Sequence, residues 1–224
     1  MKTRSIKAVV DSIVRPNTCF ADISENERCY FTSSVIIFAL AAVSASLSSA
    51  LNGWYWNLNG QNYLDFSAMP FLLSTTHTAL QNIVLIAAIF LIGKKLGGTT
   101  RFKKIFSMIS YCLVPATVGT LLIPVGMTLV SQLLFAGIEV GGGAIDLDPD
   151  LSPSYALDYA SSAIISYGFL VPFAVWIFIL FLKATKIANG FDMKKSVITV
   201  VSGIGAIYLS HMVFGIPSIL LSHL

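Results

Sequence analysis

Several stretches of this chain run without a charge for longer than a soluble domain tolerates, among them Phe31–Leu51, 21 residues, and Ile105–Leu134, 30 residues. About 20 apolar residues at 1.5 Å rise are enough to cross a hydrocarbon core. Ahead of the second run stands Gly93–Lys104, Gly-Lys-Lys-Leu-Gly-Gly-Thr-Thr-Arg-Phe-Lys-Lys, with five basic residues of twelve and no acid. A basic loop between apolar runs reads as a cytoplasmic turn of a bilayer protein, because basic loops stay on the inner side. Composition agrees: 55% of the 224 residues are hydrophobic and 11% charged, with a mean hydropathy of +0.79. Soluble domains carry about 25% charged residues, so lipid is the expected solvent.

Five spans are expected: Phe31–Leu51, Leu73–Ile92, a third within Ile105–Leu134, Ala160–Leu182 and Ser196–Leu221. The third run is longer than a straight crossing needs and contains Pro115 and Pro124. Either it is kinked and tilted, or its first turns lie along the inner surface. Pro172 is a kink candidate in the fourth. All 14 Lys and Arg fall in the N-terminal segment, in Gly93–Lys104 or in Lys183–Lys195. The connections Asn52–Met69 and Ala136–Tyr159 have none. The charge distribution therefore predicts N-terminus in, C-terminus out. Merging two spans or splitting the third would put basic loops on opposite faces. The expected fold is all-α and polytopic: a cytoplasmic amphipathic segment over 1–30, then a five-helix transmembrane domain over 31–224.

Within Met1–Arg15, Ile6, Val9, Val10, Ile13 and Val14 recur at helical spacing, with Lys2, Arg4, Lys7 and Asp11 largely on the other side. The segment is too short and too charged to span. It would lie on an anionic inner leaflet, where each basic residue is worth roughly 1 kcal/mol, or pack on the protein's own loops. Pro16 ends it. Phe20 and Ile23 anchor a short following element, and Ser24 with Glu27 has the spacing of a capping box for the next helix. The first span is rich in small residues, with Ala41, Ala45 and Ser49 on one face and Ala42, Ser46 and Ala50 on another. Small residues four apart allow close helix approach. Ser202, Ala206 and Ser210 repeat the pattern in the last span, so these faces are expected to pack the bundle or a homo-oligomer. Trp54, Tyr55, Trp56 and Tyr63 suit an outer interfacial loop.

Residues that could carry chemistry are few. The thiols Cys19, Cys29 and Cys112 form no CxxC pair, which argues against a zinc or redox site. His77 and Gln81 lie four apart on one face of the second span, next to Asn82, and His211 falls at a similar depth in the last. They would form a small polar pocket, or only hydrogen bonds between helices. No carboxylate lies within the spans to drive ion coupling. Asp146-x-Asp148-x-Asp150 opens like a calcium loop, but Leu151 and Leu157 occupy its glycine and glutamate positions. Gly141–Gly143 lacks the lysine of a phosphate-binding loop. No Ser/His/Asp or Cys/His set shares one depth, so no catalytic residue, metal or cofactor is expected. The orientation rule accounts for the basic loops without nucleic acid.

Ser110-Tyr111-Cys112-Leu113-Val114-Pro115 resembles the Gly-Tyr-x-Leu-x-Pro signature at the third span of the YIP-domain family, the Ypt/Rab-interacting membrane proteins. Pro16 followed by Phe20 resembles that family's opening segment. Gly97-Gly98 with Thr100-Arg101-Phe102-Lys103 is similar to its inner loop. Lys186-Ile187-Ala188-Asn189-Gly190-Phe191 with Lys194-Lys195 resembles the loop before its last span. The resemblance implies five helices, a cytoplasmic N-terminus and no catalysis; eukaryotic relatives bind Rab-type GTPases in vesicle traffic. Here Ser110 replaces the glycine, the Asp-Leu-Tyr-Gly-Pro motif is absent and the N-terminal segment is short. These departures count against Rab binding and bring the chain closer to compact prokaryotic members.

The expected function is a non-enzymatic scaffold or adaptor for membrane organisation, in the cell membrane rather than an endomembrane. Lys94, Lys95, Arg101, Lys103, Lys104, Lys194 and Lys195 would form its cytoplasmic interaction surface, for anionic lipid or a membrane-protein partner. The alternative is a carrier or channel for a small solute or ion using His77, Gln81 and His211.

Overall fold

The computed structural model describes residues 2–58, 68–122 and 153–221, with side chains over 6–48, 71–122 and 171–210. Among these residues every element is helical. Seven helices follow in order: α1 Lys2–Val14, α2 Pro16–Glu25, α3 Glu27–Leu58, α4 Ala68–Lys95, α5 Phe102–Cys112, α6 Pro153–Asn189 and α7 Met193–Leu221. Helix resumes after α5 over 114–122. Four stretches are long and apolar enough to cross a membrane among the described residues: Glu27–Ser48, Phe71–Lys95, Phe102–Leu122 and Val171–Asn189. α7, at 29 residues, stands where the fifth span is expected.

The N-terminal helices break where the backbone chemistry requires it. Pro16 takes the first turn of α2, where its missing N–H costs nothing. The capping box expected from Ser24 and Glu27 is not formed. Ser24 lies inside α2, and Asn26 separates α2 from α3. The Asn26 amide donates to Asp22 O at 2.9 Å and its carbonyl accepts from Cys29 N–H at 2.9 Å. Its side chain donates back to Asp22 Oδ1 at 2.7 Å. Asn26 thus closes one helix and opens the next.

Phe102–Leu122 is the most enclosed of the four stretches, with 61% of its most apolar window buried against 39% or less elsewhere. Ile105, Met108, Ile109, Tyr111 and Cys112 have no exposed surface. α5 is wrapped by α3, α6, α4, α2 and α1. The expected kink is present: helix stops at Leu113, whose N–H donates to Ser110 O at 3.1 Å. Pro115 lacks the N–H that would bond Tyr111 O, so a regular helix cannot run through. Pro172 lies inside α6 without ending it.

Helices outrun the expected spans. α3 continues through residues assigned to the outer loop, to Leu58; α6 begins at Pro153 and runs past Lys183 and Lys186 to Asn189. Charge marks where lipid ends, whereas a helix ends only where its backbone is capped, and lysines favour its last turn. Of the small-residue faces of α3, Ala41, Ala42 and Ser46 are buried and Ala45 partly covered, while the side chains of Ser49 and Ala50 fall outside the described ones; Ser44 and Ser48 are buried as well. In α7 the small-residue face is not the one packed within the chain. Ser202 is exposed and Ala206 and Ser210 only partly covered. The residue that admits the neighbouring helix is Gly203, where a Cβ would sit 2.8 Å from Ile89 Cγ1. Trp54–Tyr63, Pro124, Gly141–Gly143, the Asp146–Asp150 triplet and the His211 side chain fall outside the described residues or side chains.

Candidate functional site

The two basic loops are built by the same device. α4 ends in Lys94 and Lys95, then Gly97 takes φ +92°. Gly98 N–H donates to Gly93 O at 2.9 Å and Gly97 N–H to Lys94 O at 3.1 Å. That pair of bonds is the Schellman ending, which needs a left-handed residue after the cap. α6 repeats it: Gly190 has φ +67° and Phe191 N–H donates to Lys186 O at 3.1 Å. Gly190, part of the motif quoted above, is therefore the left-handed position that ends α6. Asp192 then starts α7, its Oδ1 accepting from Lys195 N–H at 2.9 Å.

These two endings lean on each other. Asn189, 8% exposed, fills the space left by the missing side chains of Gly93 and Gly98. Its Nδ2 donates to Thr185 O at 3.2 Å, and its Oδ1 is buried without a partner. Lys195 Nζ donates across to Leu96 O at 3.3 Å. Loops about a hundred residues apart in sequence thus form one basic surface. Lys94, Lys95, Arg101, Lys103, Lys194 and Lys195 are exposed and Lys104 half-buried. Three of them rest on rings: Lys103 Nζ is 4.3 Å from the Phe31 centroid, Lys195 5.7 Å from Phe191 and Lys94 5.9 Å from Phe90. Lys95, Arg101 and Lys194 are exposed and have no such ring contact among the described residues.

Behind this surface the motif residues Pro16, Phe20, Tyr111 and Pro115 are all buried. Tyr111 packs edge-on against Tyr30, centroids 6.1 Å apart, and its hydroxyl lies 2.9 Å from Ser33 Oγ. Tyr30 OH donates to Asp22 Oδ2, and Cys19 Sγ donates to Ala8 O at 3.3 Å. Burial, with Asp11 and Asp22 nearby, pushes the Cys19 thiol up to about 12. This cluster fastens α1 and α2 to α3 and α5; its chemistry is packing and hydrogen bonding rather than catalysis.

In α4, Gln81 Nε2 lies 2.6 Å from His77 Nε2, both residues half-buried. The predicted pair is real; His211, its expected companion, has no described side chain. Among the described residues no group of three or more His, Cys, Asp or Glu could hold a metal ion, and the three cysteines are free. Sequence reading missed Asn189 and the buried, unpartnered hydroxyls of Thr100, Ser107 and Thr185. Nothing local in the sequence signalled what the Asn189 side chain would fill.

Apolar helices of membrane-spanning length, an enclosed central helix and a clustered basic surface define a multi-pass helical membrane protein. The Yip1 domain family matches residues 10–215, nearly the whole length, and the chain belongs to that family. No curated protein and no solved structure matches it.

Proposed function

We propose that this protein is a non-enzymatic membrane scaffold whose two basic loops form one cytoplasmic face that holds anionic lipid headgroups. The observation that carries the reading is the joining of the loops through Asn189 and Lys195, which collects cations from two parts of the chain. Clustered cations within a Debye length act together on an anionic surface. The face lies inside and the C-terminus outside, because the connections Asn52–Met69 and Ala136–Tyr159 carry no basic residue. The cell membrane is the compartment this reading favours.

The test is native mass spectrometry of the chain released from mixed-lipid vesicles in mild detergent. Wild type should retain anionic lipid in preference to zwitterionic lipid, and the preference should weaken with salt. Lys95→Glu, Arg101→Glu and Lys194→Glu together should abolish it. Equal retention by the triple variant sinks the proposal. Because reversed charge can invert topology, thiols placed after Trp56 and after Asp148 are labelled from outside in parallel. The His77–Gln81 contact favours a second reading, a solute carrier. Solute flux in vesicles that His77→Ala removes would establish that reading instead.

A further inference from the structure

α1 is attached by its smallest residues. Ala8 is 5% exposed and Ser12 0%, and these two, four apart, form the face turned to the protein. Cys19 of α2 reaches Ala8 O, and the Ser12 hydroxyl is satisfied within its own helix by Val9 O at 2.7 Å. Val9 packs partly against the core, and the other large apolar residues point away. Ile6 is 68% exposed, Val10 54%, Ile13 37% and Val14 67%. Positions 6, 10, 13 and 14 make one stripe, nearly opposite the attached face. Lys7, Asp11 and Arg15 form a charged row beside it at spacing four. The usual arrangement of a surface helix, apolar side to the protein and polar side to water, is reversed.

α2 provides the contrast. Its outward residues are Asn17, Thr18, Ala21, Asp22 and Glu25, with no large apolar side chain among them, while Phe20 and Ile23 are fully buried. α2 is dressed for water and α1 is not. α2 is joined through Asn26 to the start of the first membrane-length stretch, so this pair lies at the membrane boundary.

We infer that the Ile6–Val10–Ile13–Val14 stripe is an in-plane anchor buried in the acyl chains of the leaflet beside the basic face, with Lys7 and Arg15 at headgroup level. Its occupant is lipid: the bilayer that holds α3 is within reach, and the flanking cations complement anionic headgroups. This inference rests on the scaffold reading and gives it a second, apolar contact with the same leaflet.

The test uses spin labels on the full chain in vesicles of zwitterionic lipid alone, so that failure of the headgroup reading leaves it untouched. Cys29→Ser removes the exposed native thiol; Cys19 and Cys112 are buried. Labels enter through Val10→Cys, Ile13→Cys and, as the water-facing control, Thr18→Cys. Power saturation compares collisions with oxygen, which concentrates in lipid, and with a nickel chelate, which stays in water. Labels at 10 and 13 should favour oxygen several-fold over the label at 18. Nickel access at 10 and 13 equal to that at 18 overturns the inference. So does dipolar broadening at 10 or 13 that vanishes on dilution with unlabelled protein, which would make a second copy the occupant.

Discussion

Replacing Gly98 by alanine tests the joint between the basic loops. The new Cβ would fall inside van der Waals contact of Asn189 Oδ1 and 2.8 Å from Gly93 O. The asparagine can move, since its described tie is one 3.2 Å bond within its own helix. The Gly93 carbonyl cannot move without breaking the 2.9 Å bond from Gly98 N–H that closes α4. Overpacking costs about 1–3 kcal/mol and a lost backbone bond about 1 kcal/mol, so Gly98→Ala should destabilise by about 2–4 kcal/mol. Gly97→Ala is the control. It meets nothing within 4 Å but holds φ +92°, a left-handed strain of about 1–2 kcal/mol. Asn189→Ala should return about 1 kcal/mol in the Gly98→Ala background and nothing in the Gly97→Ala background. Unfolding by SDS in mild-detergent micelles, followed by helix content, measures all six proteins, wild type and the Asn189→Ala single variant included. A Gly98→Ala change of about 0.5 kcal/mol or less, the size of an ordinary surface substitution, would refute the joint. So would additivity with Asn189→Ala.

The remaining expectations concern single contacts. Gly203→Ala should cost about 1–3 kcal/mol through overpacking on Ile89 and Leu85, and Gly203→Ala with Ile89→Ala should cost less than the sum in thermal unfolding. A maleimide at neutral pH should label the exposed Cys29 and reach the buried Cys19 and Cys112 only after SDS denaturation. The Cys19 thiol rises from 9.0 to about 12 on folding, so the unfolded chain loses that proton first. Its effect on stability is absent below pH 9, and stability falls as pH rises from 9 towards 12. Cys19→Ala should flatten that part of the wild-type curve. Lys103→Ala and Phe31→Leu should show a coupling of about 0.5–1 kcal/mol in a double-mutant cycle, from the cation held over the ring.

Charge and hydropathy made the spans legible because a bilayer imposes one coarse rule on every residue it touches. That rule led to the spans that appear as Glu27–Ser48 and Phe71–Lys95, whereas the break before Pro115 follows one of the two readings that the prolines of the third run left open. The rule could not locate helix ends, because α6 ends at Asn189 by local backbone capping at Gly190, not by depth. Nor did it single out Gly203 as the seat in α7 for the neighbouring helix. Serine, alanine and glycine look alike to a small-residue pattern, and only the register of Ile89 against Gly203 chooses among them. The apolar face of α1 was plain in sequence, but not its direction; that depended on Ala8 and Ser12 giving α2 a closer seat than Ile6 or Val10 could. The basic residues were found, whereas Asn189, which unites them, acts only through tertiary contact.

The broadest helix pairing in the molecule joins α4 to α7, with Gly203 seated on Leu85 and Ile89. These partners are the second membrane helix and the last. During synthesis the Leu85–Ile89 flank must therefore linger among acyl chains until the final helix leaves the ribosome and displaces them. Synthesis of α7, more than any earlier event, is what closes this seam, and a chain cut short before Met193 would present it unclaimed to quality control.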